Sequence, residues 1–251
     1  MAVKRDGSRL GAWADTAKTV GLAVLLALGV RTAVADPFHV PSESMEPTLL
    51  VGDFLFANKA AYGYSRHSLP LSPPLFAGRV LESPPERGDV IVFKLPRDPG
   101  ENYVKRVVGL PGDRIQMVGG VLHVNGEAVG LRRVEDHVEE VGGRAVNVPQ
   151  FVETLPGGRE HRILHAPYLT PVDDTPVFEV PAGHYFMMGD NRSNSVDSRV
   201  PEWAGGVGMV PAENLVGRAD VRYFSIDFRT DWSDPARWLK ALRLDRIGLV
   251  G

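Results

Sequence analysis

Apolar residues in this chain form one long run near the start and many short alternating runs afterwards. The run Thr19-Val-Gly-Leu-Ala-Val-Leu-Leu-Ala-Leu-Gly-Val30 is unbroken for twelve residues; Lys4, Arg5, Arg9 and Lys18 precede it and Arg31 closes it. Twelve residues fall short of the ~20 that a spanning helix requires. Two structures fit. Lys18 and Arg31 snorkelling to opposite interfaces give a single membrane anchor. Ala33-Val-Ala35 read as a small-residue cleavage site gives a removable signal peptide instead. Either way the positive flank keeps the N-terminus in the cytoplasm and sends the rest of the chain, from about residue 36, across the membrane.

Beyond Pro37 the period changes. The stretches 51–56, 88–93, 103–108, 177–180, 185–188 and 220–224 are short, rich in β-branched and aromatic residues, and read as strands. Gly119-Gly120 between two such runs marks a hairpin, and Asn125-Gly126 follows as a second turn. The 20 prolines and 27 glycines punctuate short strands, so the pattern predicts an all-β body with little helix beyond the anchor. Three stretches stand apart: a proline-rich apolar loop at 67–85, a charged, glycine-rich segment at 131–175 that reads as an insertion or flexible hairpin, and a helix-like tail at 236–247.

Composition narrows the chemistry. With 251 residues there is room for one large domain or two small ones, and a net charge of −3 offers no basic face for nucleic acid. The absence of cysteine excludes disulfides, thiolate catalysis and cysteine-bound zinc. The metalloprotease, nucleotide-binding and α/β-hydrolase signatures are absent. The seven histidines show no paired metal spacing; His161 and His165 are four apart, but Pro156, Gly157 and Gly158 argue against a shared helical face, and solvated loop histidines are the simpler reading. No metal or other cofactor is expected.

Three pieces remain. In Pro41-Ser42-Glu43-Ser44-Met45-Glu46-Pro47 the prolines favour extended or turn backbone, in which Ser42 and Ser44 share one side. One hydroxyl then attacks while the other donates beside it; a polar linker leaving the membrane fits the same residues. Lys105 and Arg106 interrupt the apolar strand 103–108, and alternation sends one of them to the buried side. A buried lysine acting as base near neutrality needs its pKa drawn from ~10.4 to about 7–8, roughly 4 kcal/mol, which an apolar site can supply; a lysine snorkelling at a strand edge is the alternative. The segment 188–200 is a turn-rich loop in which Asp190, Asp197, Arg192 and Arg199 are placed to form ion pairs.

Together PSESMEPTLL (41–50), RGDVIVF (87–93), YVKRVVGLPGD (103–113) and GDNRSNSVDSR (189–199) closely resemble the motifs of the bacterial type I signal peptidase family, in that family's order after an N-terminal anchor. The resemblance implies Ser44 as nucleophile and Lys105 as general base. It implies an oxyanion hole from the Ser42 hydroxyl and the Ser44 N–H, with Ser195 hydrogen-bonded to Lys105. Asp190 with Arg106 and Asp197 with Arg199 are implied as supporting ion pairs, and Met45 as a pocket wall. Two departures stand out: Ser193 occupies a position where many members carry an acidic residue, and residues 201–208 lengthen the rim.

The resemblance also implies an organisation and a setting. It predicts a mostly β protein, in which an N-terminal transmembrane helix leads into an antiparallel catalytic sheet carrying a smaller inserted β-domain. The expected divisions are 1–36 for the tail and anchor, 37–113 and 185–230 for the catalytic core, 114–184 for the inserted accessory domain, and 231–251 for an amphipathic tail. The expected activity is cleavage of signal peptides after Ala-X-Ala-type residues, with the anchor retained. The expected place is the bacterial cytoplasmic membrane, single-pass, with the catalytic domain on the extracytoplasmic side. Preprotein signal peptides, membrane lipid and the export machinery are the expected partners. The 67–85 loop and the tail are expected to touch lipid. A repressor-type Ser–Lys self-processing protease and a catalytically silent export scaffold are the rival readings.

Overall fold

The computed structural model of the protein describes residues 13–24, 29, 34–69, 72–141, 144–230 and 233–250. Residues 13–24 and 29 are helical; the rest of the expected anchor lies outside the described residues. Among the described residues no helix is long and apolar enough to cross a membrane.

The body is antiparallel β. Its main sheet has eight strands, in the order Ala35–His39, Asp53–Asn58, Leu215–Ser225, Val90–Leu95, Asp98–Gly109, His184–Met188, Val210–Pro211, with Gly248–Leu249 beside Leu215–Ser225. Val90–Leu95 lies in the middle, and its apolar run Val90-Ile-Val-Phe93 follows from burial on both faces. Ile91, Phe93 and Leu95 enter one core cluster with Val107 and Met187, while Val90 and Val92 enter another with Met45, Leu49 and Leu55. The Asp98–Gly109 strand runs alongside, pairing Ile91 with Lys105 and Val90 with Arg106.

A four-stranded sheet follows, built on the hairpin of Arg114–Val118 and Val121–Val124. Its turn is Gly119-Gly120, both at positive φ (55° and 79°), a two-residue geometry that glycine adopts at little cost. Phe178–Glu179 pairs back onto Arg114–Val118, and a third core cluster joins this sheet to the main one through Val108, Phe186 and Met188.

Two sequence expectations change here. Residues 131–175 are not a flexible hairpin: Gly130–Arg133, Gln150–Thr154 and Glu160–Leu164 form a three-stranded sheet, and His137–Val141 pairs with Arg144–Val148. Ile163 and Leu164 are buried, and Glu153 is buried against Arg192. The tail is α-helical over Pro235–Ala241 and makes a separate 3-10 turn at Leu244–Arg246, rather than one continuous helix. The chain then returns to the sheet, where Arg246 donates to Asp53 (2.7 Å) and Gly248–Leu249 adds a strand; these bonds outweigh the amphipathic periodicity of 236–247.

Candidate active site

The segment carrying Ser44 is one turn of 3-10 helix, Glu43–Met45, rather than extended chain, because the Glu46 N–H closes onto the Glu43 carbonyl (3.0 Å). Ser42 and Ser44 nevertheless come together, their hydroxyl oxygens 3.3 Å apart, with Ser42 exposed and Ser44 buried. Met45 is fully buried with Leu49 and Leu55 beneath the turn. It anchors the segment from below, and the expected pocket-wall role is corrected: the adjoining cavity, of about 850 Å³, is lined by Phe38, Val40, Ser42, Ser44, Tyr103 and Lys105 among others, and not by Met45.

Lys105 and Arg106 are both buried, at 3% and 2% exposure, where the alternation argument allowed only one. The strand is covered on both sides, so neither reaches solvent. Lys105 Nζ lies 2.6 Å from Ser44 Oγ and donates to the Val104 carbonyl (3.1 Å), with the Tyr103 ring centroid 5.4 Å away. Burial draws the Lys105 ammonium down from 10.5 to about 8; Arg199 adds to the shift, while Asp197 and Asp190 oppose it. Those aspartates are tied up. Arg106 grips Asp190 in a two-pronged pair (2.8 and 2.7 Å), and Arg199 grips Asp197 likewise (2.8 and 2.8 Å). Burial alone would raise both carboxyls, but the guanidiniums outweigh it and hold each below the usual carboxylate range.

The loop after Met188 touches the nucleophile turn directly. Asn191 N–H donates to the Ser44 carbonyl (3.2 Å), and a Cβ on Gly189 would fall 2.4 Å from that oxygen and 2.3 Å from Ser195 Oγ. Gly189 is therefore required by close approach rather than by its dihedrals. Ser195 lines the cavity, but the expected bond to Lys105 is not made: its hydroxyl is buried without a hydrogen-bond partner among the described residues. Lys105 instead satisfies itself on Ser44 and on the carbonyl of Val104. Ser193, at the departing position, accepts from the Ala166 N–H (2.9 Å).

Several contacts escaped the sequence reading. Thr48 Oγ1 donates to Asp190 (2.5 Å), and Arg192 reaches Glu153 (2.6 Å) at 1% side-chain exposure on both sides. Glu46, next to the nucleophile turn, has its carboxyl pushed up to about 7 by burial and by the charges of Glu139 and Glu43. His161 is not a solvated loop histidine. It sits on a strand, 3.4 Å from Glu153 and 1% exposed, and burial pushes it down to about 4, so its ring is neutral.

This geometry can be set beside known proteins. Residues 13–224 match the family model described as signal peptidase, peptidase S26. A signal peptidase I of Rickettsia canadensis (strain McKiel) is 37% identical over 248 residues, covering 92% of this chain and 90% of the relative. One of Rickettsia typhi (strain ATCC VR-144 / Wilmington) is 38% identical over 245 residues, covering 89% and 88%. Among solved structures, a signal peptidase I from Enterococcus faecalis V583 shares 24% identity at a TM-score of 0.32, covering 54% of this chain and 97% of that chain. A family match over most of the length, joined by relatives alike nearly from end to end, places the chain in the signal peptidase family, peptidase S26, as an enzyme that cleaves signal peptides.

Proposed function

We propose that the protein is a membrane-bound serine endopeptidase in which Ser44 attacks the scissile carbonyl and neutral Lys105 takes its proton. The observation that carries this reading is the 2.6 Å contact between Lys105 Nζ and Ser44 Oγ inside a buried site. As the Ser44 oxygen bonds to the carbonyl carbon, its proton passes to Lys105, and the carbonyl electrons move onto oxygen. That oxyanion is met by the Ser42 hydroxyl and the Ser44 N–H. Lys105 then returns the proton to the departing amine, leaving an acyl-enzyme on Ser44. Water, deprotonated by the same amine, completes hydrolysis. The two aspartate–arginine pairs hold their charges in place around the amine without neutralising it.

The substrate is read as a signal peptide with small residues of the Ala-X-Ala type before the cut. Residues 37–113 and 185–230 form the catalytic core and 114–184 an inserted accessory unit, after an anchor within 1–36. The family setting supports a place on the extracytoplasmic side of the bacterial cytoplasmic membrane, with lipid and the export machinery as neighbours.

The test is cleavage of a preprotein carrying Ala-X-Ala by the wild type, Ser44→Ala and Lys105→Ala. Each substitution is expected to lower kcat/KM by ~10³-fold or more. Near-normal turnover by well-folded Ser44→Ala would remove the proposed nucleophile.

A further inference from the structure

Three ligand-type side chains from distant parts of the chain converge beside the nucleophile turn. Glu46 follows Ser44 by two residues, and His137 and Glu139 stand on the strand His137–Val141. One ligand atom from each lies within 4.8 Å of the other two. The i, i+2 spacing of His137 and Glu139 puts both side chains on one face of their strand, and it is this pair that meets Glu46. Glu46 is 7% exposed, while the two hairpin residues are half-buried, so the group is rooted in the protein and open to water on its outer side. His137 also lines a second cavity, of about 630 Å³, with Pro47 and Thr48.

Negative charge accumulates around Glu46 and Glu139, while Arg246 acts on His137 and lines the adjoining cavity with Arg222. Glu43 adds a third carboxylate whose field reaches both Glu46 and Glu139. The described guanidinium that acts on both is Arg229, which is itself paired with Asp227 (3.1 Å). Gathered, partly desolvated carboxylates are costly unless positive charge is supplied.

We propose that Glu46, His137 and Glu139 bind a divalent transition-metal ion that ties the 137–148 hairpin to the segment bearing Ser44. An imidazole with two carboxylates suits zinc or manganese, whereas calcium and magnesium favour all-oxygen sets. Zinc–ligand bonds of ~2.0–2.1 Å place tetrahedral ligand atoms about 3.4 Å apart. Ligand atoms now up to 4.8 Å apart would draw together on binding, with water in the fourth position. Among the described residues the two hairpin strands pair with each other and with no further strand, an arrangement of marginal stability that an added tie supports. The inference is independent of the protease mechanism, because it is read by metal affinity.

Full-length protein in detergent, stripped of metal, is titrated with Zn²⁺ against a chromophoric competitor, with Mg²⁺ as the control ion and His137→Ala and Glu139→Gln alongside. One zinc per chain is expected, with little response to Mg²⁺. Each substitution is expected to weaken zinc binding about tenfold or more. Zinc should raise the thermal midpoint of the wild type and leave both variants unmoved, with circular dichroism reporting that each is folded. A wild type that takes up no zinc below about 1 mM, or folded variants that bind zinc as tightly as the wild type, overturns the assignment.

Discussion

At Lys105 the chemistry and the stability of the fold pull in opposite directions. The amine is drawn from 10.5 to about 8 by burial, so the unfolded chain binds its proton more tightly than the native one. Between pH 8 and 10.5 native stability therefore rises with pH; below about 8 the full penalty applies, on the order of 3 kcal/mol. Lys105→Met removes that penalty. It is expected to abolish cleavage yet raise the thermal midpoint at pH 7, the advantage shrinking as pH rises; a less stable variant at pH 7 contradicts this. The active amine is the uncharged one, so kcat/KM should climb through an apparent pKa near 8, and a limb left near ~10.4 counts against the assignment. Local pattern singled out Ser44 and Lys105, a serine pair fenced by prolines and a cation in an apolar strand, but left a polar linker and a snorkelling lysine open; their roles came from the four motifs taken together. Met45 and Ser195 were misread because a side chain's direction is set by packing, which no local pattern encodes.

Between elements, the loop 189–199 and the turn at Ser44 act as one unit. Gly189→Ala places a methyl against the Ser44 carbonyl and must push the turn aside. A displacement of ~1 Å at reacting groups costs up to about 10²-fold, so kcat should fall by that order with KM little changed, as measured by steady-state cleavage of a peptide. Glu153→Gln tests the brace behind the loop. It leaves Arg192, 1% exposed, without its counter-charge, and loss of one partner of a buried pair costs about 3–5 kcal/mol. The melting temperature should drop accordingly, and an unchanged melt would show that the pair contributes nothing. The Gly119-Gly120 hairpin could be read from sequence because its signal is local. The Arg192–Glu153 pair could not: its partners lie 39 residues apart, on elements that only the tertiary fold brings together.

For the whole molecule, a mostly antiparallel architecture follows from short alternating runs and frequent turns, and that much was plain in the sequence. The folding of 131–175 into sheet was less so: Arg132, Arg133 and Glu135 stay exposed as a charged loop's would, and burial of Glu153 depends on Arg192, far away in sequence. On and beside the second and third strands of the main sheet, apolar side chains stay in the open: Phe56, stacked on Tyr223, together with Val221, Phe228 and Leu249. Trp238 and Leu239 on the short tail helix are exposed as well. Protein lacking residues 1–34 is expected to float with phospholipid vesicles, and Trp238→Glu with Leu239→Glu should cut the bound fraction several-fold; equal flotation would dismiss the tail as a lipid contact. The strand Ala35–His39 has a further mechanical consequence. It begins immediately after residue 34 and leads, within ten residues, to Ser44. Ten residues reach at most about 36 Å, and five of them are already clamped to Asp53–Asn58. An anchor holding the chain just before this strand would thus set the stand-off of the hydroxyl like a short leash, and the enzyme would reach only peptide bonds presented within that radius.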